Sequence, residues 1–210
     1  MQYKYLIKAF VGVSLPVLLM ALFLTLTNSL GRHIPFSIRA HPYDGIWGFS
    51  AIVFCLSIGT DHAGFGLKEK LVPFLKSLGY EVEDKGAFEY NEKDDYPDFV
   101  IPVAKEVAKS PNQVKGIVLG ATGQGEAMVA NRFRNVRAVV YYGKAPMVVD
   151  FEADIISRSR EHNNANILSL GARFLTEEEM MEAAKKWLET AFIEEERHAR
   201  RLHKIDSIHD

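Results

Sequence analysis

The pattern of hydrophobic and polar positions divides the chain into an apolar N-terminal part and a region of alternating strand and helix signals. Residues 9–26 contain no charged side chain and follow Lys4 and Lys8. The length of this run matches the lower end of a membrane-spanning helix. We interpret residues 1–30 as a hydrophobic N-terminal helix that anchors the chain in a membrane, and residues 31–50 as a linker punctuated by glycine and proline.

Other interpretations of the apolar run stay open. It is also compatible with a secretory signal peptide, although no clear small-residue cleavage pair follows Thr27. A wrongly chosen start would equally attach such a segment to the chain. A buried core helix is the least favoured, because the run is apolar on every face. The positive charges before and after the run favour opposite orientations across a membrane.

Residues 51–210 alternate between short apolar runs, typical of strands, and amphipathic segments with the helical period. The predicted strands cover residues 50–58, 80–82, 116–119, 136–141 and 167–170, and the predicted helices 66–78, 98–109, 126–133, 148–160, 177–188 and 194–205. This alternation predicts an α/β, three-layer Rossmann-like fold with a parallel sheet covered on both faces. Ligands of such sheets bind at the carboxyl ends of the strands.

Composition narrows the functional classes. The chain is 48% hydrophobic and 25% charged, which excludes a disordered chain or a disulfide scaffold. A net charge of -2 offers no bulk positive charge for a nucleic acid, so we expect no nucleic-acid partner. Cys55 is the single cysteine, which excludes an internal disulfide and a cysteine-rich zinc site and favours a reducing compartment.

Three polar clusters are predicted to fall just after strands, where an open sheet presents its ligands. The first contains Asp61 and His62, and an N-cap with a surface histidine explains it equally well. The second, residues 120–126, is a loop of small residues that lets backbone N–H groups approach an anion. It lacks the spacing of a dinucleotide fingerprint and the lysine of a P-loop, so a tight turn is the alternative.

The third cluster contains His162, a candidate general acid, and Asn163 beside it. Arg173 follows the next predicted strand, and Arg197 and Arg201 stand four residues apart on one helical face. Two guanidinium groups on one face suit a phosphomonoester. Taken singly, the His162 segment could be a helix cap or a surface residue, and the Arg197–Arg201 segment could be a solvated basic face.

Taken together, the clusters resemble the ribose-5-phosphate isomerase B family over about residues 52–206. The motifs that carry the resemblance are Gly59-Thr60-Asp61-His62-Ala63-Gly64-Phe65, Asp95-Tyr96-Pro97, residues 116–126, Ala130-Asn131, Arg137-Ala138, residues 161–166, Gly171-Ala172-Arg173 and Arg197-His198, all in the family's order. Many members carry a catalytic cysteine at the position of Gly120. A second branch uses a glutamate six residues further on, where this chain has Glu126.

The resemblance implies an aldose–ketose isomerase that works through an enediolate. Glu126 would be the base and His162 the acid that opens the sugar ring. Asp61 would orient sugar hydroxyls or assist ring opening, and Thr122 would add a hydroxyl to the catalytic group. The substrate-binding residues implied are Asp61, His62, Ala121, Thr122, Gly123, Gln124, Gly125, Asn163, Arg173, Arg197 and Arg201.

The resemblance also implies no metal and no cofactor, because the loop amides would stabilise the oxyanion. It implies a homodimer or a dimer of dimers with the site at a subunit boundary, so some arginines would serve the neighbouring chain. We expect a cytoplasmic catalytic domain, possible membrane anchoring through residues 9–26, and ribose 5-phosphate as substrate. Galactose or allose 6-phosphate remains open, since residues 142–154 form a longer segment than the family pattern expects. A non-catalytic, membrane-tethered sugar-phosphate binding protein is the other hypothesis.

Overall fold

The computed structural model describes residues 55–144 and 154–209. The predictions for residues 1–30 and 31–50, and for most of the segment 142–154, therefore lie outside the described residues. Within those two described ranges, no helix is long and apolar enough to cross a membrane.

The chain alternates strand and helix throughout the part that the structure describes. The strands are β1 (Cys55–Thr60), β2 (Glu81–Asp84), β3 (Val114–Gly120), β4 (Ala138–Tyr141) and β5 (Ile167–Gly171). The helices are α1 (Phe65–Ser77), α2 (Tyr96–Lys109), α3 (Gln124–Ala130), α4 (Ile155–Glu161), α5 (Glu177–Glu189) and α6 (Glu196–Asp206), and a 3-10 turn follows at Ser207–His209.

The five strands form one parallel sheet in the order β2-β1-β3-β5-β4. The central strand β3 is buried along its whole length, with Ile117 opposite Ile58 of β1 and Leu119 opposite Leu170 of β5. The chain runs from β1 to β2 on one side and then crosses to β3 on the other. The crevice outside the carboxyl ends of β1 and β3 is therefore a topological switch point, where open α/β sheets bind ligands.

Apolar side chains cover both faces of the sheet. On one face, Leu71 of α1 and Trp187 of α5 pack in a cluster with Leu119 of β3. On the other face, Val103 of α2 and Ala130 of α3 belong to a second cluster. The alternation of side chains along β3 feeds both clusters. The predicted three-layer α/β fold is confirmed.

Local chemistry explains where several elements begin and end. Helix α3 begins at residue 124 rather than the predicted 126, because Gly123 turns the chain in a left-handed conformation at φ 77°. Strand β4 begins at Ala138 rather than 136, and the Asn131 side chain binds both the N–H (2.7 Å) and the C=O (3.0 Å) of Ala138. Of the predicted helix 148–160, only the part from Ile155 is described, and it extends to Glu161.

Candidate active site

The end of β1 is held tightly against the end of β3. The Thr60 hydroxyl, fully buried, donates a hydrogen bond of 3.0 Å to the carbonyl oxygen of Leu119. Gly64 approaches the same two residues so closely that a Cβ atom would overlap both side chains. The loop after β1 is therefore seated on β3, and it carries Asp61 to the switch-point crevice.

Glu126 lies at this crevice, in the first turn of α3. Its side chain is buried, with 4% of the residue exposed. The carboxylate occupies the space that a side chain on Gly120 would need. The Glu126 carboxylate can therefore take its observed position only if residue 120 has no side chain. This is the physical reason for glycine at the end of β3.

The environment of Glu126 makes its carboxylate hold a proton more tightly than an exposed glutamate does. Burial raises the pKa of Glu126, and the nearby negative charge of Asp61 raises it further. A hydrogen bond from its own backbone N–H acts in the opposite direction. Catalytic carboxylates are tuned upward in this way to serve as general bases.

The loop of residues 121–125 is shaped by small residues and by one aromatic side chain. Thr122 accepts a hydrogen bond of 3.2 Å from the backbone N–H of Gln124 through its hydroxyl oxygen. A Cβ on Gly125 would lie 2.8 Å from the hydroxyl oxygen of Tyr96. Tyr96 thus packs against the loop. Its motif was recognised in the sequence, but its role beside Gly125 depends on the tertiary fold.

His62 also lies at the crevice outside the carboxyl ends of β1 and β3. It is bound to Asp94, a residue that the sequence interpretation did not include. Its ring Nδ1 is 2.6 Å from Oδ1 of Asp94, and its backbone N–H donates to the same oxygen at 3.1 Å. The only sequence signal for Asp94 is its place beside the recognised motif Asp95-Tyr96-Pro97. The contact spans 32 positions along the chain.

Arg173 also belongs to this edge of the sheet. Its backbone N–H donates to the carbonyl oxygen of Ala121 at 3.1 Å, which joins the segment after β5 to the loop after β3. The guanidinium is near enough to His62 to act against the protonation of that ring. Asp61, His62, the loop 121–125, Glu126 and Arg173 are therefore brought together.

The remaining predicted site residues lie at the amino ends of the parallel strands, opposite the carboxyl ends where Glu126 lies. His162 and Asn163 follow α4 and precede β5, so the expectation that their cluster follows a strand is wrong. Since β5 spans five residues, about 16 Å of strand separates them from the Glu126 edge. Helix α6, which carries Arg197 and Arg201, packs beside them.

His162 stacks on a second histidine from α6. The rings of His162 and His198 are 4.2 Å apart between centroids and nearly parallel, at 16°. His198 is buried, and burial lowers its pKa, with His162 adding to the effect. His198 stands in the recognised Arg197-His198 motif, but the sequence interpretation did not give it a role.

The hydrogen bonds of His162 limit where it could carry a proton. Its Nε2 lies 3.0 Å from Nη1 of Arg158, and because a guanidinium only donates, Nε2 must accept. A proton available for transfer would therefore sit on Nδ1.

The two predicted phosphate-binding arginines of α6 are exposed. The Arg197 side chain is 56% exposed and is bound through Nε to Glu195 at 2.7 Å, and Arg201 is also exposed.

One group of side chains has the spacing of metal ligands. Ligand atoms of Asp61, His62 and Asp94 all lie within 4.8 Å of one another. The Nδ1–Oδ1 distance of 2.6 Å is that of a strong hydrogen bond, which places a proton between the two atoms. The described geometry therefore favours a hydrogen-bonded histidine–carboxylate pair over two metal ligands.

Comparison with known proteins agrees with this geometry. Residues 56–205 match the family described as Ribose/Galactose Isomerase. The chain belongs to this family. Within it, the chain is 34% identical over 145 residues to ribose-5-phosphate isomerase B of Mycobacterium tuberculosis, covering 69% of this chain and 83% of that protein. It is 35% identical over 153 residues to the Escherichia coli enzyme of the same name, covering 73% and 95%.

Solved structures of the ribose/galactose isomerase family share the fold. Ribose-5-phosphate isomerase B from Mycoplasma genitalium, crystallised with bound ribulose-5-phosphate, aligns with a TM-score of 0.68 and 33% identity. The alignment covers 74% of this chain and 96% of that one. The Clostridium thermocellum enzyme aligns with a TM-score of 0.65 and 38% identity, covering 74% and 97%. The resemblance noted in the sequence, and the enzyme class it implies, are confirmed.

Proposed function

We propose that this chain interconverts ribose 5-phosphate and ribulose 5-phosphate through an enediolate, with Glu126 as the base. The observation that carries the proposal is the buried Glu126 carboxylate, seated in the space left by Gly120 at the switch point of the sheet. The curated relatives above are named for this substrate, and one solved relative holds ribulose-5-phosphate. The six-carbon phosphates remain the alternative substrates to assay.

The reaction needs one base and a set of oriented donors. Glu126 takes the proton from C2 of the open-chain aldose, and the C–H electron pair forms the C1–C2 double bond of the enediolate. The C1 carbonyl pair moves onto O1 in this step. The same carboxyl group then returns the proton to C1, while the hydroxyl hydrogen on O2 is transferred to O1, so that C2 becomes the ketone and O1 the new hydroxyl group. Backbone N–H groups of residues 121–125 would stabilise the oxyanion, and donors of this kind contribute about 3 to 4 kcal/mol each in mutational tests.

The two halves of the predicted site lie at opposite ends of the parallel strands, one at the carboxyl ends and one at the amino ends. A single chain therefore does not complete the site. A second copy that presents its His162 edge to the Glu126 edge would join the base to the acid. It would also bring Asn163, Arg197 and Arg201 to the phosphate, opposite Arg173. We therefore propose a homodimer with two sites, in which Nδ1–H of His162 opens the sugar ring.

Complementation between inactive variants tests this arrangement. Glu126→Gln and His162→Gln are each expected to abolish turnover while keeping the fold. After the two variants are unfolded and refolded together, random pairing should restore about a quarter of wild-type activity, because half of the dimers contain one intact site of two. No recovery despite mixed dimers would refute a site shared between subunits.

Substrate and function are tested on the same preparations. The wild-type chain is assayed with ribose 5-phosphate and with galactose and allose 6-phosphate. Binding of ribose 5-phosphate that raises the thermal stability, without any interconversion, would favour the non-catalytic alternative. Full activity of Glu126→Gln would refute the assignment of the base.

A further inference from the structure

Asp94 holds His62 by two hydrogen bonds to one oxygen atom. Its Oδ1 accepts from the ring Nδ1 at 2.6 Å and from the backbone N–H of His62 at 3.1 Å. The first contact sets the ring orientation, and the second ties that orientation to the loop after β1. With Nδ1 bound to the carboxylate, Nε2 on the other side of the ring has no partner among the described residues and is left for a ligand.

The burial of Asp94 indicates that this contact is an ion pair. The Asp94 side chain is only 8% exposed, and its Oδ2 is buried with no hydrogen-bond partner in the part of the chain described. A buried carboxylate is costly unless a positive charge and hydrogen bonds compensate it. A protonated His62 ring, itself 26% exposed in its side chain, would supply that charge at the mouth of the crevice.

The other groups that face His62 define what its free nitrogen meets. Asp61 has a carboxylate oxygen 4.0 Å from Nδ1, and the Tyr90 ring meets the imidazole edge to face at 6.4 Å between centroids. The hydrogen bond to Asp94 raises the pKa of His62, burial opposes this, Asp61 adds to it, and Arg173 lowers it. The Arg173 guanidinium and a protonated His62 ring would together place two positive charges at the mouth of the crevice. Such a pair suits a doubly charged anion such as a phosphomonoester.

From this geometry we infer that Asp94 is a positioning residue, which keeps His62 oriented so that its Nε2–H binds the substrate phosphate beside Arg173. The inference rests on the proposed function, because it names the residue that prepares one phosphate contact. In this role Asp94 acts through His62 and not on the sugar or the reacting atoms. Its contribution should therefore appear in substrate binding above neutral pH, where an unsupported histidine loses its proton.

The test compares Asp94→Asn with a matched charge control, Glu89→Gln. Glu89 is an exposed residue of the same loop between β2 and α2, and its side chain makes no polar contact with the described residues. Asparagine keeps an acceptor for the His62 backbone N–H but removes the charge. We expect KM for ribose 5-phosphate to be about five- to tenfold higher than wild type at about pH 8, with kcat little changed. The difference should shrink at about pH 6, where His62 is protonated in both proteins.

Imidazole NMR separates this role from a structural one. The His62 signals are assigned by comparison with His62→Gln, and the ring is titrated with and without inorganic phosphate. We expect the wild-type ring to stay protonated on both Nδ1 and Nε2 up to a higher pH than the ring in Asp94→Asn, and phosphate to shift the Nε2 signal. Glu89→Gln should titrate like wild type.

Each outcome decides between the two proposals. If wild type isomerises the sugar but Asp94→Asn matches Glu89→Gln in its KM profile and titration, the role of Asp94 is refuted. If wild type does not isomerise the sugar, the proposed function fails instead. If Asp94→Asn does not fold, the wild-type titration decides, and a His62 pKa at or below its ordinary value would overturn the inference.

Discussion

Gly120→Ala provides the sharpest test of the Glu126 position, because it adds one methyl group at the end of β3. In the structure, the new Cβ would lie 1.7 Å from Oε1 of Glu126 and 2.1 Å from its Cδ. Ordinary van der Waals contact begins at 3.4 Å, so the carboxylate must retreat by well over 1 Å. The obstacle is the far end of a flexible side chain, and we therefore expect the fold to accommodate it.

The expected loss of activity follows from that displacement. A misplacement of about 1 Å at a reacting group can cost about a hundredfold in rate, which corresponds to about 2.7 kcal/mol of activation free energy. We expect kcat/KM for ribose 5-phosphate to fall at least by about this factor. Steady-state kinetics measure the loss, and circular dichroism with thermal unfolding checks that the fold survives.

Gly66→Ala is the matched control, because a Cβ on this residue of α1 would meet no atom of the described residues within 4 Å beyond its chain neighbours and its own helix backbone. The substitution removes a helix glycine, so it should leave activity unchanged and stabilise the protein by up to about 1 kcal/mol. Wild-type activity in Gly120→Ala would refute the reasoning, because the base would then be working from a position that the methyl group does not disturb.

Two further predictions concern buried charges. Because burial raises the pKa of Glu126, the native state holds this proton more tightly than the unfolded chain, and stability falls as pH rises through the ordinary glutamate range. Glu126→Gln should therefore raise Tm at neutral pH with the gain disappearing in acid, and an equal gain at both pH values would contradict this. Burial, reinforced by Arg160, lowers the pKa of Lys115 from 10.5 to about 7, so Lys115→Met should raise Tm most below about pH 7. That gain in Tm should vanish as pH approaches 10.5. Thermal unfolding scans across this pH range measure it. A gain that does not depend on pH would contradict the prediction and indicate packing as the cause.

The sequence alone predicted the order of elements in the described part of the chain, because the periods of strands and helices are local properties. It also placed Glu126 in the first turn of a helix after the central strand, and the structure agrees. Asp61 and Arg173 were expected at the carboxyl edge, and they lie there because each follows a parallel strand.

Contacts between distant segments required the tertiary structure. The partnership of His62 with Asp94 joins two loops, and no local pattern encodes it. The need for glycine at position 120 likewise appears only once the Glu126 side chain is seen in the space above it. The placement of His162 was available in principle, since a residue that precedes a parallel strand lies at its amino edge.

The sequence by itself determined which side chains are present and which elements carry them, because hydrophobic periodicity and small-residue loops act within a few neighbouring positions. Only the tertiary structure decided which of those side chains share a crevice. Strand direction sends Glu126 and His162 to opposite edges of one sheet, and burial sets the proton affinities of the groups at each edge.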